Sequence, residues 1–166
     1  MMRWEITEMT DLPELRTAAR EHLRNLPDDD SDLNTLIMTA REYCENYTGK
    51  SFGEEKIRVY VDAARIIELP RTPANLIISV SADGEEIRDY TFNKPFGTIV
   101  FEEELKNIEI LYSGGMKIPL IVRQAILMLI GHWDSNREGV VVGAIAAVEP
   151  PIGVKELLKQ EKGWWF

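Results

Sequence analysis

The segment Thr48-Gly49-Lys50-Ser51 is the part of the chain most similar to a nucleotide-binding motif. It matches the end of the phosphate-binding loop G-x-x-x-x-G-K-[ST], in which backbone N–H groups and the lysine surround phosphates. The first glycine of that motif would have to stand at position 44, which is Cys44. The tetrapeptide also follows an amphipathic segment, whereas the motif begins a helix. We therefore interpret Gly49 as a left-handed residue that ends a helix, and we predict no nucleotide site.

Three aspartates at alternate positions, Asp28, Asp30 and Asp32, have the spacing that begins a calcium-binding loop. Such a loop needs glycine at its sixth position and a bidentate glutamate at its twelfth. Those positions hold Leu33 and Thr39. We predict that the acidic run caps the following helix and binds no metal.

His22 and His132 are the only histidines, and each has a carboxylate close in sequence, Glu21 and Asp134. No serine or second cysteine stands at a spacing typical of nucleophilic catalysis. A histidine near the end of an apolar helix is more often structural than catalytic. We predict no catalytic residue, no metal site, no cofactor and no enzymatic activity.

Composition excludes several classes of protein. With 166 residues, 45% of them hydrophobic and 28% charged, the chain is long enough to bury a core and is predicted to fold as one domain. A formal charge of -9 argues against a module that grips nucleic acid phosphates. The N-terminus lacks the apolar core of a signal peptide, and the apolar run 125–130 is far shorter than the roughly 20 residues of a membrane span. We expect a cytoplasmic protein with no membrane segment, and the single cysteine, Cys44, excludes an internal disulfide.

Hydrophobic periodicity predicts the elements that position these residues. Residues 1–8 read as a short extended arm, and a helix over 12–23 follows a capping-box sequence that begins at Asp11. A second amphipathic helix begins at Asp30 or Ser31 and ends at Gly49. From Glu54 the period changes to two, and Asp83-Gly84 is a strong hairpin signal. The stretch 54–112 is therefore predicted to form a small antiparallel sheet.

The stretch 117–138 is the most apolar helix-like segment, with Pro119 in its first turn. Its apolar positions form one wide stripe: Ile118, Ile121, Val122, Ala125, Ile126, Leu129, Ile130 and Trp133. A helix that is apolar nearly all round must be enclosed by other elements or by neighbouring subunits. A short last helix is predicted over 154–160. Together these elements predict an α+β fold with a mainly helical core of three to four helices and a small antiparallel sheet inserted between helix 2 and the long apolar helix, in one domain spanning 1–166.

Two segments together resemble the head-tail connector (adaptor) proteins of tailed phages. The first is AREYCENYTGKS at 40–51, and the second is the late helix from Pro119 through AILMLIGHW to NRE at 136–138. The end of the chain, with Pro151, Gly153, Val154 and Leu157-Leu158, is similar to the short helix with which that family closes after a variable loop. These segments cover about half of the chain. The stretch 54–112 is longer than the hairpin of the smallest members, and the aromatic tail 164–166 matches no pattern of the family.

The resemblance implies a structural virion protein at the head-tail junction of a phage or prophage particle, made in the bacterial host cytoplasm. It implies a ring homo-oligomer, dodecameric on the portal protein, that extends the DNA exit channel after packaging and docks the next head-completion or tail protein. DNA would pass through without specific binding, and no membrane is involved. A stopper or tail-terminator protein is the alternative, and a small enzyme or assembly factor is a weaker one.

A ring needs a heterologous interface, in which one surface of a subunit meets a different surface of the next. Candidates are the helix faces not used in the monomer core, the apolar loop 139–151 and the aromatic C-terminal end. The predicted interface residues are Arg123, Arg137, Glu138, Val141, Ile145, Trp164, Trp165 and Phe166.

Overall fold

The computed structural model describes residues 1–23, 30–136 and 149–162. The chain falls into two compact units, a sheet unit made of 1–11 and 49–117 and a helical unit made of 12–48 and 118–166. The predicted single domain stays a prediction. The described elements are β1 (Met2–Met9), α1 (Pro13–His22), α2 (Asp30–Thr48), β2 (Glu55–Glu68), β3 (Ala74–Ala82), β4 (Glu85–Glu86), β5 (Thr91–Asn93), a 3-10 turn (Lys94–Phe96), β6 (Thr98–Gly114), α3 (Leu120–Ser135) and α4 (Ile152–Lys159).

The sheet unit is a six-stranded antiparallel sheet in the described part of the chain. Its strand order is β1-β2-β6-β3-β4, and β5 pairs with the beginning of β6. Ile57, Val59 and Val61 on β2 are buried and alternate with half-buried neighbours, which confirms the predicted period of two. Asp83 and Gly84 both have positive φ, at 50° and 84°, and form the predicted hairpin turn between β3 and β4.

One hydrophobic cluster forms the core of the sheet unit. Strands β2, β3 and β6 each supply fully buried members. It consists of Ile57, Val59, Val61, Ile67, Leu69, Ala74, Val80, Ala82, Ile99, Phe101, Ile108, Ile110 and Tyr112. Register shifts between Ala64 and Ile66 divide the long β2–β6 pairing into two stretches. Such bulges bend a strand and increase its twist, so both stretches can contribute to one core.

The helical unit is built around α3. Its buried stripe is Val122, Ala125, Ile126, Leu129, Ile130 and Trp133, which is most of the predicted one. The other helices of the unit each bring their own buried apolar positions, among them Leu15 on α1, Leu33 on α2 and Leu158 on α4. Gly49, with φ of 69°, lies immediately after α2, as predicted for a left-handed helix end.

The predicted fold class is wrong, because the sheet is neither small nor an insertion into a helical core. The strands hold about as many residues as the helices and enclose a core of their own. The predicted arm 1–8 is strand β1, paired with β2 from Met2 to Met9. The two short strands predicted at 98–101 and 108–112 are one strand of 17 residues, β6, which runs through the acidic stretch Glu102–Glu104.

The predicted long apolar helix is also corrected. It begins at Leu120, with Pro119 as an extended N-cap, because the preceding residues are held by the sheet unit: Met116 accepts from Gly53 N at 2.7 Å and donates to Ser51 O at 3.0 Å. Leu120 is 79% exposed, so the helix is not enclosed all round. Residues 137 and 138 of the prediction lie outside the described residues.

The predicted capping box at the start of α1 is wrong as well. Leu12 occupies the N-cap and Pro13 the first turn, with no capping bond from a side chain at that position. No helix in the described ranges combines the length and the hydropathy that crossing a membrane requires.

Replacing Leu129 with alanine should lower the free energy of unfolding by about 2–5 kcal/mol, because its fully buried side chain would leave a cavity in the helical unit. The same change at Leu120, on the same helix but 79% exposed, should have little effect. Urea denaturation followed by circular dichroism measures both. Equal losses at the two positions would contradict the placement of α3.

Candidate interaction surfaces

Charged residues form a ladder across β1, β2 and β6. Glu8 and Lys56 are 2.7 Å apart, and Arg58 lies 3.9 Å from Glu5 and 3.2 Å from Glu109. All of these side chains are more than a third exposed. Exposed ion pairs contribute little stability because water and salt screen them. As a result, both glutamates of β1 have cationic neighbours within their own sheet.

A second polar group, in contrast, is buried inside the sheet unit. The Ser51 hydroxyl donates to Glu55 Oε2 at 2.8 Å, and Arg71 NH1 donates to the same carboxylate at 3.3 Å. Arg71 is 3% exposed and Glu55 is 1% exposed. The Tyr112 hydroxyl accepts from Arg71 N at 3.3 Å and donates to Arg71 O at 3.1 Å. Burial raises the pKa of Tyr112, which keeps the phenol protonated and able to donate.

This buried group, Ser51–Glu55–Arg71–Tyr112, contacts the edge strand β1 at Trp4. The guanidinium carbon of Arg71 lies 5.1 Å from the centre of the Trp4 ring, a cation–π distance. The arrangement anchors β1 to the unit. A buried arginine paired with a carboxylate and ringed by hydrogen bonds is a structural arrangement, and its atoms are not exposed to a substrate.

The helical unit holds its own buried ion pair on α2, where Arg41 Nε lies 3.0 Å from Glu45 Oε1. Cys44, between them in sequence, is fully buried. Burial raises the pKa of its thiol to about 12, with a smaller contribution from the charge of Glu45. The thiol is therefore a core group and not a nucleophile.

The two histidines meet in the helical unit. His22 and His132 line an open cleft of about 470 Å³ together with Gly131, Asp134 and Ser135. The Ser135 hydroxyl donates to the Gly131 carbonyl at 2.8 Å, so it is not directed at either imidazole. His132 Nε2 is buried and has no hydrogen-bond partner in the described part of the chain. Sequence spacing could not have brought His22 and His132 together, because they are far apart in the chain.

A cleft in the sheet unit, about 500 Å³ in volume, combines an apolar floor of Ile87, Phe101 and Leu105 with the carboxylates Asp89, Glu102 and Glu103. No group of three or more histidines, cysteines or carboxylates suited to a metal ion is found among the described residues. These carboxylates give the cleft a negative charge.

Of the predicted interface residues, only Arg123 lies in the described ranges, and it is exposed on α3. Arg137, Glu138, Val141, Ile145, Trp164, Trp165 and Phe166 lie outside them. The structure adds an apolar surface that the sequence reading missed, where Leu76 and Ile78 on β3 are 60% and 43% exposed. The signal in the sequence was the absence of any charged residue from 74 to 82.

Comparison with solved structures finds the same fold in a phage-like particle. A chain in the neck of an empty gene transfer agent particle, computed with C6 symmetry, superimposes with a TM-score of 0.75 at 18% identity. The match covers 100% of this chain and 97% of that one. A chain of the native gene transfer agent virion gives 0.72 at 16% identity, covering 98% and 96%, and one in the native neck computed with C12 symmetry gives 0.69 at 16% identity, covering 98% and 97%.

The resemblance to connector proteins is thus confirmed as a likeness of fold, since the matched chains belong to the neck or virion of a phage-like particle. No protein-family model matches the chain, and no curated protein matches it.

Replacing Glu55 with glutamine should lower the free energy of unfolding by about 3–5 kcal/mol, because Arg71 would stay buried without its counter-charge. Glu86→Gln, which breaks the exposed pair with Arg88, is the matched control and should leave stability unchanged within error. Adding Arg71→Met to Glu55→Gln should recover part of the loss, since the unpaired charge is removed. Chemical denaturation checks all three, and a Glu55→Gln variant as stable as the control would refute the pairing.

Iodoacetamide at pH 8.5 should label Cys44 more than about 1000-fold more slowly in the native protein than in the urea-unfolded chain, since a pKa of about 12 leaves very little thiolate and the side chain is buried. Mass spectrometry over time measures the two rates. Comparable rates in the folded and unfolded states would show that Cys44 is accessible.

Proposed function

We propose that this protein is a structural component of the neck of a phage-like particle, a head-tail connector that forms a ring beneath the portal. The observation that carries the proposal is the likeness of fold to neck chains over nearly the full length of both partners. The match extends over 100% of this chain and 97% of the other. The sequence resemblance at 40–51 and 119–138 supports the same class independently.

The proposed assembly is a homo-oligomeric ring, dodecameric on the portal. One of the similar neck structures was computed with C12 symmetry and another with C6, which suits a protein arranged around an axis. Ring closure needs a heterologous contact between unlike surfaces. The proposed contributors to this contact are Arg123, Arg137, Glu138, Val141, Ile145, Trp164, Trp165 and Phe166.

The proposed partners are the portal protein, the next head-completion or tail protein, and other copies of this chain. The acidic character of the chain suits a channel wall, because a net charge of -9 repels DNA phosphates over about a Debye length and lets the duplex slide without binding. The proposed location is the head-tail junction of the virion, after synthesis in the bacterial host. We propose no catalytic role.

Mixing the purified protein with portal particles should add a ring of density beneath the portal in electron micrographs. Portal particles without added protein are the control. Density on tail tubes instead of portals would favour the alternative of a stopper or tail-terminator protein, and density on neither would contradict the proposal.

Arg123→Ala, Arg137→Ala and Glu138→Ala should each leave the protein folded, and should reduce ring formation because these side chains are assigned to the interface. Arg88→Ala, an exposed arginine of the β3–β4 hairpin region, is the matched control and should assemble normally. Normal assembly of all three variants would show that these residues are not part of the interface, and the proposed neck function would still stand.

A further inference from the structure

The sheet unit ends in two strands whose outer sides no strand of the described chain covers. β1 is the last strand at one end of the order β1-β2-β6-β3-β4. At the other end, β4 pairs only with Ser81 and Ala82 of β3. Beyond these pairs Ile87 N donates to Val80 O, and no further backbone hydrogen bond among the described residues reaches the outer side of 74–79. Open edges carry backbone donors and acceptors that can pair with another strand.

The open part of β3 is unprotected by charge. The whole strand, ANLIISVSA, contains no charged residue in a chain with 28% charged residues. Register shifts between Ala74 and Leu76 and between Ile77 and Ser79 interrupt its pairing with β6, and both Leu76 and Ile78 are exposed. Proteins usually protect such edges with lysine, proline, β-bulges or a covering element. This strand has bulges but no charge, and an exposed apolar edge tends to pair with another chain.

The outer side of β1 presents regularly spaced backbone groups. Asp62 N donates to Met1 O, and the register pairs Arg3 with Tyr60 and Glu5 with Arg58. Because hydrogen-bonded pairs alternate along antiparallel strands, the N–H and C=O groups of Met2, Trp4 and Ile6 point outward. The open stretches 2–6 and 74–79 span roughly 17 and 20 Å, so they match in length.

Electrostatics allow these two edges to meet. Arg3 lies over the Tyr60 ring at 5.6 Å, Glu5 contacts Arg58, and Glu8 contacts Lys56. The two glutamates of β1 therefore already have cationic neighbours, Arg3 keeps its positive charge beside the neutral Tyr60 ring, and β3 brings no charge. Exposed apolar side chains occur on both edges, with Met2 45% and Trp4 39% exposed on β1. Because β3 carries no charge, pairing would bring no like charges together, and like-charge repulsion is the usual obstacle to association of acidic subunits.

We propose that β1 of one copy pairs with the open stretch 74–79 of β3 in a second copy. The inference rests on the proposed ring, in which this pairing would join each subunit to its neighbour. Because the two edges are different surfaces at opposite ends of one sheet, the contact is heterologous and can repeat from subunit to subunit. Pairing of β3 with β3 would instead be isologous and would end at a dimer.

Cross-linking of single-cysteine variants tests the pairing. Glu5→Cys and Ile78→Cys each place a thiol near the middle of its edge. The two thiols would therefore lie close together whether the paired strands run parallel or antiparallel. Mixed in equal amounts, assembled on portals and treated with a short bis-maleimide, they should give a covalent dimer that contains one chain of each variant. Native Cys44 is fully buried and should not react, so the unmodified protein is the background control. Glu103→Cys mixed with Ile78→Cys should give no such dimer.

The outcomes separate the two proposals. Rings on portals without the mixed dimer would overturn the strand pairing and leave the neck function standing. A mixed dimer at high concentration in solution, with no ring on portals, would support the pairing and contradict the function. A dimer from Ile78→Cys alone would show β3–β3 pairing and overturn the inference.

A charge on the open edge provides a second test that does not depend on cysteine chemistry. Ile78→Lys should lower the number of rings formed on portals at least about tenfold in electron micrographs, while the circular dichroism spectrum stays unchanged. Ile66→Lys, at a 60% exposed isoleucine on β2, is the matched control and should associate normally. Equal behaviour of the two variants would refute a specific role for the β3 edge.

Discussion

The pairing of β2 with β6 is the interaction on which the rest of the sheet unit depends. Glu55–Val61 pairs with residues 108–114, and Ile66–Glu68 pairs with residues 98–100. Both stretches of this ladder contribute buried side chains to the core. β1 adds to the free side of β2, and β3 adds to the free side of β6. Burial at roughly 25 cal/mol per Å² of apolar surface makes the cluster around Ile57, Ile110 and Tyr112 the main source of stability, whereas the exposed ion pairs add little.

The buried polar group Ser51–Glu55–Arg71–Tyr112 constrains this core more than it stabilises it. Desolvation of an arginine and a glutamate costs about as much as their attraction returns, so an apolar replacement of similar volume could be as stable. The group instead fixes the relative positions of the segments that it connects. Tyr112 on β6 makes two hydrogen bonds with the backbone of Arg71, and Arg71 in turn lies over Trp4 of β1. Segments at opposite ends of the sheet unit are thereby held relative to one central strand.

Local features of the sequence predicted the elements better than their arrangement. The alternation of Ile57, Val59 and Val61, the Asp83-Gly84 turn and the Gly49 helix end depend on neighbouring residues, and all were confirmed. The size of the sheet depends on pairings between distant residues, such as Met2 with Val61 and Glu55 with Gly114, which periodicity cannot reveal. Strand β1 was missed because Arg3, Glu5 and Glu8 made it look like a solvated arm, whereas their partners are Tyr60, Arg58 and Lys56. Of the predicted interface residues the structure describes only Arg123, which is exposed, and the interface stays a prediction.

Charge limits how copies of this chain can associate. Subunits that each carry a net charge of -9 repel one another within about 8–10 Å at moderate ionic strength, so non-specific contacts between their surfaces are disfavoured. Association then requires places where short-range, directional contacts form without bringing like charges together. In the proposed pairing, the uncharged edge of β3 meets a strand whose glutamates already have cationic neighbours, and backbone hydrogen bonds give the contact a fixed direction. The acidity of the chain thus disfavours non-specific contacts between copies, which suits the proposed closed ring better than disordered aggregation.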